Sequence, residues 1–280
     1  MTWTVFLAVL LAAVLHASWN ALVKVSADRL SAMGLLTLAS GVIGLVFLPF
    51  VPAPSPAAWP FLAGSVLLHI GYRLFLVEAY RHGDLSHVYP ISRGTGPLIV
   101  ALLSAAIVGE QMGLMTALGV TAIALGVIAL AFRGGPAVLE RPEPLLYALG
   151  TGLFIAGYTL TDGLGGRAND GHGAAYVVWL LTLDAPIFVA IVWIRRGDAF
   201  WHAIRENAWS GLAGGGMSLA AYALAVWAMT LAPLAAVAAL RETSVIFAAL
   251  IGRLLLKEGF GVWRLAASCI VAAGVALLRA

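Results

Sequence analysis

The chain has 280 residues, 62% of them hydrophobic and only 10% charged, with a mean hydropathy of +0.98. An ordinary soluble domain is about 45–50% apolar and about 25% charged, so a water-soluble globule is excluded. The formal net charge of +3 comes without a basic block, which argues against a nucleic-acid partner.

About 20 apolar residues cross the hydrocarbon core of a bilayer as a helix. A membrane β-barrel needs alternating apolar and polar residues, whereas Val5–Leu15 and Leu98–Val108 are continuous apolar runs. The expected fold is all-α and polytopic, with ten spans near 3–25, 31–50, 58–80, 85–108, 113–132, 144–163, 174–194, 208–231, 234–256 and 260–279. Residues 1–18 have the apolar core of a signal peptide but no basic flank, and the run continues to His16, Asn20 and Lys24, so it reads as a retained first span. The single cysteine, Cys269, lies in an apolar run and offers neither a disulfide framework nor a metal site.

Charged side chains inside a span are costly and are functional by default. On span 1, His16, Asn20 and Lys24 are spaced by four and share a stripe beside Ser18 and Trp19. His16 and Asn20 are candidates to line a cavity or to join helices, while Lys24 snorkels to the interface. Span 3 places His69, Arg73 and Tyr80 on one side with Tyr72 beside them. Arg73 needs a counter-ion, for which Glu78 and Asp162 are available, although Glu78 faces Phe75 and Arg81. Span 4 carries Arg93 within YPISRGTGP, residues 89–97. Pro90 and Pro97 remove backbone donors, and Gly94 and Gly96 weaken the helix between them. A break there would free backbone groups for a ligand. Arg93 reads as a contact for an anionic substrate group or as half of a buried ion pair.

The longest polar connection, Arg133–Pro144, reads as a joint between halves. Span 6 adds Tyr158, Thr159 and Asp162, span 7 adds Asp184, and span 8 adds Tyr222 and Trp227. Tyr158 is a binding candidate because it falls near Trp19 when span 6 is laid on span 1. Span 9 repeats the arginine theme in Arg241–Glu242–Thr243–Ser244. Glu242 is either a salt-bridged structural group or a proton-coupling acid. Gly119, Ala122, Gly126 and Gly214–Gly216 suit close helix approach. Connections after odd-numbered spans hold most Lys and Arg residues, including Lys24, Arg81, Arg133, Arg141, Arg195, Arg196, Lys257 and Arg264. By the positive-inside rule both termini lie outside.

The second half echoes the first. At one constant offset Arg93 falls on Arg241, Thr95 on Thr243, Glu110 on Glu258, Gly113 on Gly261 and Gly126 on Gly274. Units of five spans are odd in number, so consecutive units sit inverted, the architecture of many secondary transporters. The expected domains are residues 1–132 and 144–280, joined by a connection over 133–143, around a central cavity.

HASWNALVK (16–24), LLSAAIVGEQMG closing on Glu110 and LIGRLLLKEGFG closing on Glu258 resemble the EamA-type transporters of the drug/metabolite transporter superfamily. The resemblance covers nearly the whole chain. It implies a ten-helix carrier of small metabolites, often an exporter of amino acids or related compounds. Many relatives have cytoplasmic termini, opposite to the charge count here.

These readings converge on a secondary transporter, an exporter or exchanger of a small polar metabolite such as an amino acid or organic anion, in a bacterial inner membrane. The expected binding residues are Arg93, Arg241, Arg73, Asn20, His16 and Tyr158, with Glu242 or His16 carrying protons. No cofactor, metal, ATP site or nucleic-acid partner is expected; the partners are the substrate and the bilayer, and monomer and homodimer both stay open. An intramembrane enzyme or a scaffold is the alternative, but no HExxH or GxSxG pattern occurs.

Overall fold

In a computed structural model, described for residues 1–82, 85–132, 142–254 and 261–279, those residues form helices and short connections without a strand. Helix α1 spans Trp3–Val25, its first turn capped by the Thr2 hydroxyl, which accepts from the Val5 amide. Helix α2 covers Arg29–Phe47, capped by Asp28 at the Leu30 amide, and tightens into a 3-10 turn at Leu48–Phe50 as prolines begin to withhold donors. Helix α3 is Trp59–His82 and α4 is Leu85–Leu103, the latter closing in a π turn at Ser104–Val108. Gly109 ends that turn with φ +72°, a left-handed conformation that glycine adopts without steric cost.

Helix α5 spans Leu114–Ala129, α6 Pro142–Ala168, α7 Gly173–Arg196 and α8 Asp198–Leu231. The ninth span is split into α9, Leu234–Arg241, and α10, Ser244–Leu254, and α11 runs over Val262–Arg279. Among the described residues, nine segments are long and apolar enough to cross a bilayer, α9 and α10 counting as one, and a shorter apolar helix covers Leu265–Arg279. The chain is a multi-pass integral membrane protein. Large apolar side chains such as Leu67, Leu102 and Ile194 are exposed on the outside of the bundle, where lipid rather than water is the solvent. The Arg279 guanidinium donates to the Met1 carbonyl at 3.2 Å, so both termini meet at one end of the bundle.

A helix start and the place of a helix break differ from the sequence reading. Span 8 starts at Asp198 rather than near 208. Its polar opening, which carries Asp198, Arg205 and Glu206, is helical, bends at Asn207 (φ −121°, ψ 21°) and buries Phe200 with Leu30, Met33 and Val192. Helix α4 is not broken at Arg93. Its glycines serve close packing instead: a Cβ at Gly94 would lie 2.8 Å from the Ala124 carbonyl, and one at Gly96 2.8 Å from Ile155. The break falls on span 9. There Glu242 and Thr243 donate to carbonyls three residues back, and the Thr243 hydroxyl caps the Leu240 carbonyl at 2.7 Å. The expected connection over 133–143 lies largely outside the described residues, as do Arg133, Arg141, Lys257, Glu258 and the side chains of Tyr80, His87 and Arg264.

Small residues set the helix spacing, as expected of membrane bundles. Helix α3 packs on α6, α1 on α8 and α10, α2 on α7 and α8, α4 on α5, α6 and α9, and α5 on α11. A Cβ at Gly41 of α2 would meet the Ala185 Cβ of α7 at 2.2 Å. Overpacking a tight contact costs about 1–3 kcal/mol. Gly41→Val is therefore expected to lower the melting temperature of the detergent-solubilised chain. Gly64→Ala, whose nearest neighbour would stand 3.9 Å away, should leave it unchanged.

Candidate functional site

Helices α1, α2, α3, α6, α7, α8 and α9 surround a cavity with about 860 Å³ of empty space, its mouth included. Its wall runs from Arg241 and Tyr158 at mid-bundle towards Trp19 and Met33, which lie nearer the end remote from the termini. The wall is mixed. Tyr72, Tyr158, Tyr222 and Trp19 provide aromatic faces, His16, His69, Thr37 and Ser40 provide polar ones, and Arg73 and Arg241 provide the cations.

The sequence-predicted residues separate into wall and support. His16, Arg73, Tyr158 and Arg241 line the cavity. Arg93 is 2% exposed and is held by Glu242, Nε to carboxylate oxygen 2.9 Å. The pair therefore ties α4 to the break between α9 and α10. One guanidinium nitrogen of Arg93, Nη2, has no hydrogen-bond partner. Asn20 turns its amide back to the His16 carbonyl at 2.8 Å, fixing the helix turn that presents His16. His16 packs edge-on against Trp19, 4.9 Å between ring centres, and lies within electrostatic reach of Arg93 and Arg241.

Arg73 has a counter-ion other than the two expected from sequence. Its Nη1 and Nη2 donate to both oxygens of Asp184 at 2.9 and 2.6 Å, and the guanidinium rests over Phe188, 4.5 Å from the ring centre. Asp184 is wholly buried on α7. Neither Glu78 nor Asp162 performs this role. Glu78 pairs with Arg81 at 3.0 Å, and Asp162 accepts from Tyr176 at 3.0 Å and from Tyr222. Asp184 stood in the sequence as a buried acid immediately preceding Ala-Pro, but span order gave no means of facing it towards α3.

Arg241 differs from the other buried arginines. Among the described residues no carboxylate comes within ion-pair distance of it. Its guanidinium lies 5.3 Å from the ring centre of Tyr222, and only 8% of the residue is exposed. Cation–π contact offsets part of the desolvation of such a charge, but it leaves the guanidinium donors available. Helix α9 delivers this cation to the cavity because the helix ends there. Nearby His69 stacks on Tyr158 at 4.4 Å, which places a second imidazole on the same wall.

Polar ties also occupy the two ends of the bundle. At the end holding the termini, Arg167 donates to Glu110 at 2.6 Å and to the Met229 and Ala232 carbonyls, while Glu110 accepts from the Leu234 amide at 3.0 Å. At the other end Asp28 accepts from Arg196 at 2.8 Å and from Ser31 at 2.7 Å. Partial burial opposes ionisation of Asp28, but the bonds from Arg196 and Ser31 outweigh it and hold the carboxyl below its ordinary range. A depressed carboxyl pKa means that this tie persists at neutral pH and is lost as pH falls through the folded-state value.

The sequence profile of the EamA-like transporter family matches residues 3–132 and 143–280. A solved crystal structure, described only as that of a protein, aligns with a TM-score of 0.73 and 15% identity, over 99% of this chain and 96% of the other. That likeness concerns the fold alone. No curated protein matches the sequence.

Removing one partner of a buried ion pair typically costs about 3–5 kcal/mol, whereas replacing both by apolar groups is often neutral. Asp184→Ala is accordingly expected to destabilise the solubilised chain strongly, and adding Arg73→Met to Asp184→Leu should recover most of the loss. A double-mutant cycle of thermal unfolding measures this; equal losses in single and double variants would show that packing, not charge, dominates at the site.

Proposed function

We propose that this chain, which belongs to the EamA-like transporter family, is a secondary carrier of a small organic anion or amino acid that works by alternating access. The observation that carries the reading is Arg241, a nearly buried cation on the cavity wall with no carboxylate partner among the described residues. A guanidinium in low dielectric gains more from an anionic ligand than it does in water, and its planar fork matches a carboxylate. An acidic substrate group supplies the charge that the protein leaves out.

The remaining groups take supporting roles. His16 and Tyr158 provide polar and aromatic contacts beside Arg241, and Asn20 positions His16. Arg73 faces the same space but is already satisfied by Asp184, so it contributes positive potential more than a free donor. Arg93 and Glu242 form the hinge behind Arg241. Glu242 bonds Arg93 and feels both cations, so a substrate acid arriving at Arg241 redistributes charge at the helix break.

Two inverted five-helix units are the proposed moving bodies. Three observations support this. The family profile matches in two stretches. Residue pairs such as Arg93 and Arg241 recur at a constant offset. Part of the helix packing also repeats when each span is exchanged for the one five places on: α1 on α8 corresponds to α6 on α3, α4 on α6 to span 9 on α1, and α2 on α7 maps onto itself, whereas α7 on α8 has no comparable counterpart between α2 and α3. We further place the protein in a bacterial inner membrane, driven by a gradient rather than ATP, with the basic end around Asp28 and Arg196 facing the cytoplasm by the positive-inside rule.

Hydrogen bonds to a charged group contribute about 1.5–3 kcal/mol. Arg241→Ala is therefore expected to reduce flux about ten- to hundredfold in proteoliposomes screened with amino acids and small organic anions, while Arg241→Lys retains part of it. Undiminished flux in Arg241→Ala, or a panel in which only cations move, would overturn the assignment.

A further inference from the structure

Behind the cavity wall lies a buried acid that the carrier reading does not use. Asp162 on α6 is wholly enclosed. Its partners are the Tyr176 hydroxyl of α7 at 3.0 Å and the Tyr222 hydroxyl of α8; the Ser65 hydroxyl of α3, which contacts His69, is a further polar neighbour. None of these is a cation. Among the described residues Asp162 forms no ion pair, in contrast to Glu242 with Arg93 and Asp184 with Arg73. The charged and titratable groups around it are His69 on α3, Tyr158 on its own helix, and Arg241 on α9 beyond the Tyr222 ring. Arg73, already neutralised by Asp184, lies past His69.

A hydrogen-bonded route joins this acid to the cavity. His69 lines the wall, and its Nδ1 stands 3.1 Å from the Ser65 hydroxyl. Tyr222 lines the same wall while bonding Asp162. The acid is thus one residue behind the cavity surface, which His69 and Tyr222 line.

We propose that Asp162 is the proton-binding site of this carrier, loaded through His69 and Ser65 and coupled to the substrate cavity through Tyr222. The site deepens the transport reading and rests on it for its purpose, but not for its existence. In the loading step a proton from cavity water binds His69 Nε2, the Nδ1 proton passes to the Ser65 oxygen, and the Ser65 hydroxyl proton passes to the Asp162 carboxylate. One proton enters and one arrives, with no other change of bond count. Unloading reverses each transfer: the Asp162 proton returns to the Ser65 oxygen, the Ser65 proton to Nδ1 and the Nε2 proton to cavity water, which restores the starting tautomers.

The coupling follows from hydrogen-bond supply. An ionised carboxylate accepts from both tyrosines; a protonated one has a hydrogen of its own to donate. One tyrosine hydroxyl must then turn away, and Tyr222 is the one on the cavity wall, directly beneath the Arg241 guanidinium. Protonation therefore alters the surface that meets the substrate, and by linkage the substrate alters proton affinity. Glu242 is less suited to the task, because its carboxylate is bonded to the Arg93 guanidinium, whereas hydroxyls bond Asp162.

The test is infrared spectroscopy on the full chain in lipid, titrated over about pH 5 to 9, within which buried carboxyls are documented to gain and lose protons. The expected result is a protonated-carboxyl stretch that appears with acid in wild type and Glu242→Gln, and is lost in Asp162→Asn. A tyrosine ring mode should shift with it and vanish in Tyr222→Phe, and His69→Gln should slow its appearance after a pH jump. A carboxyl band that survives Asp162→Asn, or its absence from wild type over the whole range, overturns the site. Proteoliposomes loaded with a pH dye and given amino acids or small organic anions separate the second half of the proposal. Asp162→Asn should keep substrate exchange yet lose pH-driven accumulation. If wild type itself ignores the pH gradient, coupling is refuted even where the band is present. If wild type moves no compound of the panel, the carrier reading fails while the band still decides the proton site.

Discussion

A charge placed within the hydrocarbon layer has to meet an opposite charge, a hydrogen-bonding partner or water, and the interior of this bundle is arranged by that constraint. Arg73 on α3 is neutralised by Asp184 on α7, and Arg93 on α4 by Glu242 at the end of α9. Each pair joins helices that are distant in sequence, so the cost of desolvation becomes a condition on which helices must be neighbours. A wrong packing would leave an uncompensated ion at depth, which is far more costly than a lost apolar contact.

Against that background the exceptions define the chemistry. Among the described residues, Arg241 reaches the cavity beside the Tyr222 ring with no carboxylate at ion-pair distance, and Asp162 takes its hydrogen bonds from hydroxyls and forms no ion pair. The first suits an anion arriving from outside, the second a proton. Tyr222 touches both, with its hydroxyl on Asp162 and its ring face below Arg241. A single side chain therefore stands between the two unpaired charges, and that arrangement gives the cavity a means of sensing both ligands. The split of span 9 contributes as well. Because the helix ends at Arg241 and restarts at Ser244, the cation sits at a hinge rather than in the middle of a rigid rod.

Much of this was legible in the sequence, for a physical reason. Hydropathy reports transfer into lipid, so the spans and the rarity of buried charge are visible residue by residue. Arg73, Arg93, Arg241 and Glu242 stand out on that ground, His16 is singled out because helical spacing fixes which side chains share a face, and Tyr158 because it falls near Trp19 when span 6 is laid on span 1. Pairing was not legible, because it depends on rotation of one helix about its axis relative to another. Asp184 was therefore missed as the partner of Arg73, and Asp162 was offered for a role it does not take. The backbone break was misplaced for a related reason. Proline and glycine in YPISRGTGP signal weakness, yet close contact with α5 and α6 holds α4 together, whereas the break on span 9 arises from local hydrogen bonds at Thr243. The polar opening of α8 falls outside the expected span, and burial of Phe200 outweighs its charges.

The central claim is that Arg241 awaits an anion, and direct ligand binding tests it without requiring transport. A ligand that binds only the folded state raises the unfolding temperature with concentration. Thermal unfolding of the full chain in micelles should therefore rise with small carboxylates, beyond any effect of matched chloride, and should not respond to quaternary ammonium probes. The same carboxylates should leave Arg241→Ala unmoved. Equal stabilisation of wild type and Arg241→Ala by carboxylates, or stabilisation of wild type by the ammonium probes alone, would contradict the account.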